Sequence, residues 1–160
     1  MSNMSKHTNF AKQLVKGRIA ETIFAQMYRE TGRFTVLEFG YERIIPELVQ
    51  DGYDADTGIV ETLRTAPDFA VIDKTKSHVQ LVEVKYRSVM NNLEILKVAQ
   101  RMRASWCPSY LFIATQQGFF FDGIDDIIEN NGRMRQLSFD IVSQESQRAY
   151  LQLIVDFENN

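Results

Sequence analysis

The sequence predicts an α/β fold, a single domain built on a central mixed sheet of four or five strands flanked by helices. Three observations predict it. Two neighbouring runs, Ala66 to Asp73 and His78 to Arg87, are rich in β-branched and aromatic residues and meet at the polar turn Lys74-Thr75-Lys76-Ser77, which is the pattern of paired strands. A further run, Ser109 to Thr115, is continuously apolar after Pro108, as suits a strand buried within a sheet. Around and between these runs, apolar residues recur at helical spacing. A chain of 160 residues is long enough to bury a sizeable core, and a hydrophobic content of 44% with 24% charged residues is ordinary for a soluble globular protein.

Taken in order, residues 8 to 31 read as a first helix, capped by Thr8 or Asn9, with Phe10, Leu14, Ile19, Ile23 and Met27 as its apolar stripe and Gly32 as its C-cap. Gly17 and Glu21 are four apart and share one side of it; the plain reading is close packing for the glycine and a solvated face for the acid. Arg33 to Phe39 alternates as a strand, with Phe34, Val36 and Phe39, and Gly40-Tyr41-Glu42 turns the chain. Glu42 to Gln50 is compatible with a short helix around Pro46, Asp51 to Gly58 reads as a loop, and Ile59 to Thr65 as a further strand leading into Pro67. Asp54-x-Asp56-x-Gly58 lacks the closing glutamate and the glycine placement of an EF-hand, so a calcium loop is rejected.

Asn91 begins a helix with Glu94 three residues on, in the manner of a capping box. Its apolar stripe is Ile95, Leu96, Ala99 and Met102, which leaves Lys97, Gln100, Arg101 and Arg103 on the other face. Gly118 to Phe121 is a short strand, whose phenylalanines belong more plainly to the core than to base stacking. Asp125 to Asn131 reads as a helix stopped by Gly132, and Ser143 to Phe157 as a closing amphipathic helix with Tyr150, Leu151, Ile154 and Val155 inward.

The chemistry concentrates where the first two runs meet. Side chains two apart on a strand share a face, so Glu83 and Lys85 project together with Val79 and Leu81, while Asp68 opens the neighbouring strand. Paired as a hairpin, these strands bring two carboxylates and an ammonium to one end of a sheet. Two carboxylates suit a hard divalent cation such as Mg²⁺, which lowers the pKa of bound water and screens charge on a phosphate oxygen; a lysine beside it orients the water or stabilises the transition state. The bland alternative is a Glu83–Lys85 salt bridge, with Asp68 closing a turn after Pro67.

Pro67-Asp68 followed by Glu83-Val84-Lys85 resembles the PD-(D/E)xK nuclease superfamily, the restriction-endonuclease-like fold. Lys16-Gly17-Arg18-Ile19-Ala20-Glu21 is similar to the first-helix Gly-x-x-x-Glu of its Holliday-junction-resolvase-type members, and the likeness spans roughly residues 10 to 115. The resemblance implies a metal-dependent nuclease, most simply on DNA, in which Asp68, Glu83 and the Val84 carbonyl hold Mg²⁺ or Mn²⁺, Lys85 positions or helps activate the attacking water, and Glu21 holds a water on the metal or supports a second ion. Arg87, Lys97, Gln100, Arg101 and Arg133 (with Arg135) are the candidate contacts to nucleic acid, against the plain reading of a solvated basic face. Some members carry a catalytic glutamine followed by tyrosine in this helix; no such tyrosine follows Gln100. A non-catalytic nucleic-acid or protein-binding module that kept the scaffold is the alternative.

The formal charge of −3 argues against strong non-specific nucleic-acid binding, although its distribution is uneven. Glu38 to Glu61 holds seven acids against Arg43 alone, whereas Glu83 to Arg103 holds five basic residues against two acids. The lone Cys107 allows no internal disulfide, His7 and His78 stand apart, and no Cys/His spacing fits zinc. With no apolar run long enough to span a membrane and no signal-peptide block, a cytoplasmic protein with no membrane association is expected. RNA as substrate and a homodimer as the assembly are left open.

Overall fold

The computed structural model describes residues 2–40, 62, 63 and 65–160. The expected helix over Glu42 to Gln50, the loop over Asp51 to Gly58 and most of the strand over Ile59 to Thr65 lie outside the described residues. Thr62 and Leu63 are helical, which corrects the extended reading at that end.

The elements run α1 (Ser2–Glu30), β1 (Phe34–Glu38), β2 (Phe69–Asp73), β3 (His78–Tyr86), α2 (Asn92–Ser105), β4 (Tyr110–Ala114), β5 (Phe119–Gly123), α3 (Ile124–Glu129) and α4 (Gln144–Asn159). The strands form one five-stranded mixed sheet in the order β1-β2-β3-β4-β5, with every pair antiparallel except β3–β4. A parallel pair needs a crossover, and α2 supplies it.

Alternation along the strands divides the core in two. Phe69, Val71, Val82, Val84 and Phe112 face one layer, where they pack with Ala20, Phe24 and Tyr28 of α1 and Ile154 of α4. Leu111 and Ile113 face the other layer, against Ile95, Ala99 and Met102 of α2 and Ile127 of α3. The sheet is therefore sandwiched between helices on both sides. All three phenylalanines of β5 are absorbed by this packing: Phe119 and Phe121 on the α1 side, Phe120 on the α2 side.

Sequence expectation and structure part at the start of α1. The helix begins six residues before Thr8, and Phe10 and Leu14 are exposed rather than part of the core. Helical periodicity records which side of a helix is apolar, not where the neighbouring layer ends, and here packing starts at Lys16 and Ala20. Gly32, at φ 70°, takes the left-handed conformation expected after a helix. At α2 the side chain of Asn91 accepts from the N–H of Leu93 and of Glu94, as its position before the helix predicts.

Candidate active site

Phe69 pairs with Val82 across the β2–β3 hairpin, so Asp68, one residue before, stands across from Glu83, one residue after. Asp68 itself lies in a bend just ahead of β2 rather than within it. Its carboxylate accepts from the Val84 N–H, Oδ2 to N 2.8 Å. Its main-chain carbonyl accepts from the N–H groups of Phe39 (2.9 Å) and Gly40 (3.2 Å). Both ends of the residue are thus fixed by backbone, one end to β3 and the other to the segment after β1.

Glu83 and Lys85 pair with Leu111 and Ile113 of β4 and share their face of the sheet, the α2 side. The Lys85 ammonium is 3.0 Å from Glu83 Oε1, with both side chains about one-fifth exposed (21% and 20%). The salt bridge foreseen as the bland alternative therefore exists, and it leaves the second oxygen of Glu83 for another partner. Glu21 comes from α1, on the opposite layer, and ion-pairs with Arg18 at 3.2 Å.

Electrostatics ties these groups together. Burial, then the charge of Glu83, then more weakly that of Glu21, push the Asp68 carboxyl up from 3.8 to about 7, against the pull of the Val84 N–H and Lys85. Burial disfavours a charged form, and like charges held close add to the effect. The ionised form of Asp68 is therefore under-compensated by the protein groups around it. Among the described residues no three His, Cys, Asp or Glu side chains are grouped so as to hold a metal by themselves. A donor set of two carboxylates, a backbone carbonyl and waters still meets what Mg²⁺ asks of a protein, since it keeps several waters and takes one or two carboxylates. The raised Asp68 carboxyl is what such a cation would relieve.

The residues expected to contact nucleic acid fall into two groups. Lys97, Gln100 and Arg101 are exposed along α2, Arg133 is exposed after α3, and Arg87 is half-buried, donating through its guanidinium to the Tyr86 carbonyl. Arg103 and Arg135, by contrast, are engaged within the fold: Arg103 with Asp125 at 3.3 Å, and Arg135 with Asp122 at 2.5 Å and Asp126 at 3.1 Å. Asp122 is only 2% exposed, so Arg135 holds a buried acid and is not a spare phosphate contact. Gly17 has open space where a Cβ would stand, so close helix packing does not explain it.

Sequence reasoning missed a tie directly beyond the site. Lys16 of α1 meets Glu158 of α4 at 2.6 Å, and the Tyr86 hydroxyl donates to the same Glu158 oxygen at 2.5 Å. The Lys16 ammonium also lies 5.1 Å from the centre of the Tyr86 ring. Lys16 and Glu158 are about nine-tenths buried (9% and 10% exposed), and burial followed by the Glu158 contact pushes the Tyr86 hydroxyl up. Tyr86 follows Lys85 in sequence, so this tie anchors the end of the strand that carries Glu83 and Lys85. The partners are too far apart in the chain for any local signal to announce them.

No protein-family model matches this chain, and no curated protein matches it. Among the described residues no helix is long and apolar enough to cross a membrane.

Proposed function

We propose that this chain is a metal-dependent nuclease of the PD-(D/E)xK kind, with a restriction-endonuclease-like fold, hydrolysing phosphodiester bonds in DNA. The observation that carries the proposal is the Asp68–Glu83 juxtaposition across the hairpin, with the Asp68 carboxyl pushed up to about 7 by burial and by Glu83, and Lys85 alongside. A buried acid raised by desolvation together with a specific like-charged neighbour is a physical ground for a functional site.

In this reading Asp68, Glu83 and the Val84 carbonyl hold Mg²⁺ or Mn²⁺. The cation, when bound, lowers the pKa of a water and offsets charge on the scissile phosphate. Lys85, already fixed by its contact to Glu83 Oε1, orients the attacking water and stabilises the charge that builds on the phosphoryl oxygens. Glu21, from the α1 layer, holds a further water or supports a second ion. Arg87, Lys97, Gln100, Arg101 and Arg133 engage the backbone phosphates, which fix register without reading sequence.

The test is cleavage across a panel of linear, nicked, branched and single-stranded DNA, with RNA alongside, in Mg²⁺ or Mn²⁺ and in chelator. Metal-dependent cleavage of at least one substrate, absent in chelator and lost in Lys85→Ala, is the expected result. Cleavage that persists undiminished in Lys85→Ala would assign the activity to another site.

A further inference from the structure

We infer that Trp106 is a positioning residue for the candidate site, holding Asp68 at the height of Glu83 by bracing the two chain segments that flank it. This role rests on the metal-site reading above. Trp106 is the only tryptophan in the chain and occupies the C-cap of α2, where its N–H donates to the Met102 carbonyl at 2.7 Å. Its ring stands edge-on to Phe39, with centroids 5.5 Å apart and planes at 87°. Its indole N–H donates to the Thr62 carbonyl at 2.9 Å.

Two of those contacts, to Phe39 and to Thr62, reach the segments on either side of Asp68. Phe39 and Gly40 donate their N–H groups to the Asp68 carbonyl. Thr62 is tied to the stretch ahead of Pro67-Asp68: its carbonyl also accepts from the Thr65 hydroxyl at 2.9 Å, and the Ala66 N–H donates to the Leu63 carbonyl at 3.1 Å. Ala66 and Pro67 are buried, so the stretch just ahead of Asp68 is held in the fold. The Trp106 ring therefore stands between the segment before Asp68 and the segment that grips its main chain. An edge-on aromatic pair with a satisfied indole N–H is a directional contact, not only buried area. Asp68 lies in a bend just ahead of β2, and the Phe39 and Gly40 N–H groups that hold its main chain belong to the segment the Trp106 ring packs against. Outer residues of this kind, touching no metal, set how well ligands are presented.

Two variants separate the contributions. Trp106→Phe keeps a ring against Phe39 and removes the hydrogen bond to Thr62; Trp106→Ala removes both. The primary readout is Mn²⁺ affinity by calorimetric titration of folded protein without substrate. The second readout is amide exchange of Phe39 and Gly40 in chelator, which reports directly on their bonds to Asp68. The expected result is Mn²⁺ binding weakened about threefold in Trp106→Phe and about tenfold or more in Trp106→Ala, the scale of lost outer support around metal ligands, with faster exchange at both amides. Should the alanine variant fail to fold, the phenylalanine variant decides alone. A merely structural tryptophan gives a lower melting temperature with unchanged Mn²⁺ affinity and unchanged exchange, which overturns the role. Wild type that takes up no Mn²⁺ overturns the metal-site reading and this role with it, whereas wild-type binding with unaffected variants overturns the Trp106 role alone.

Discussion

Strand β2 has an aspartate at each end, and the two are held in opposite ways. Asp73 closes the strand on the α1 side, where it accepts from Arg33 at 2.7 and 3.2 Å and from the Thr75 N–H (2.9 Å) and hydroxyl (2.6 Å). Those bonds, the Arg33 contact foremost, pull its carboxyl far below the usual range despite its burial. Asp68 precedes the same strand, takes one backbone N–H on its carboxylate among the described residues, and faces Glu83, with its carboxyl raised to about 7. Asp122 repeats the Asp73 solution with Arg135. Asp73 and Asp122 each have an arginine, and the buried Glu158 has Lys16 and the Tyr86 hydroxyl; Asp68 faces a second acid, with a lysine one strand away. That difference is what the proposed metal site rests on.

The comparison can be broken most severely through Lys85. Lys85→Ala should lower metal-dependent cleavage by roughly a hundredfold or more, the scale of one lost transition-state donor, while its urea midpoint stays near that of wild type. A large loss of stability there would move Lys85 to the structural class. Next in size is Arg33→Ala. Removing Arg33 strips charge-assisted hydrogen bonds from a buried acid that keeps those of Thr75, which costs on the order of 1.5–3 kcal/mol, read as a lower denaturation midpoint at pH 7, with metal affinity untouched.

Smaller, and opposite in sign at the two ends of β2, are the pH effects in chelator. Asp68 keeps its proton in the folded state up to about pH 7 but releases it near 3.8 when unfolded. Its contribution to stability is thus fully present below 3.8 and is lost as pH rises through about 7. Asp73 is depressed, so its contribution is present above 3.8 and is lost as pH falls toward its folded value. Asp68→Asn should flatten the decline between pH 4 and pH 7, by about 1 kcal/mol or more, and leave the protein at least as stable as wild type at pH 7. Denaturation midpoints across that range measure it; a destabilised Asp68→Asn would place Asp68 with Asp73. The smallest effect is ligand stabilisation: millimolar Mn²⁺ should raise the melting temperature of wild type by RT ln(1 + [L]/Kd) in free energy and raise that of Asp68→Asn much less.

Much of the site was legible because it is local. Strand alternation and a short polar turn suffice to put Asp68 across from Glu83, and Asn91 announces the start of α2 by its own chemistry. The ends of the sheet strands and of α2 to α4 held to within about three residues for the same reason, whereas α1 begins six residues early and Thr62 and Leu63 are helical rather than extended. What stayed hidden depends on which distant segments the sheet brings together. Arg33 lies 40 positions from Asp73, and Tyr86 lies 72 from Glu158; no spacing rule links such partners. Arg135 looked like a spare cation until β5 placed Asp122 beside it. Phe10 and Leu14 continue a helical stripe past the edge of the sheet, and a stripe carries no record of where its neighbour stops.

The central claim is that Asp68 and Glu83 form one divalent-metal site, and a crystal soaked in Mn²⁺ tests it most directly. The account predicts an anomalous peak with an oxygen of Asp68 and an oxygen of Glu83 at about 2.0–2.6 Å, the Lys85 ammonium close by, and no peak at Asp73. Carboxylates directed to opposite faces of the sheet, or a soaked crystal with no Mn²⁺ between them, would contradict it.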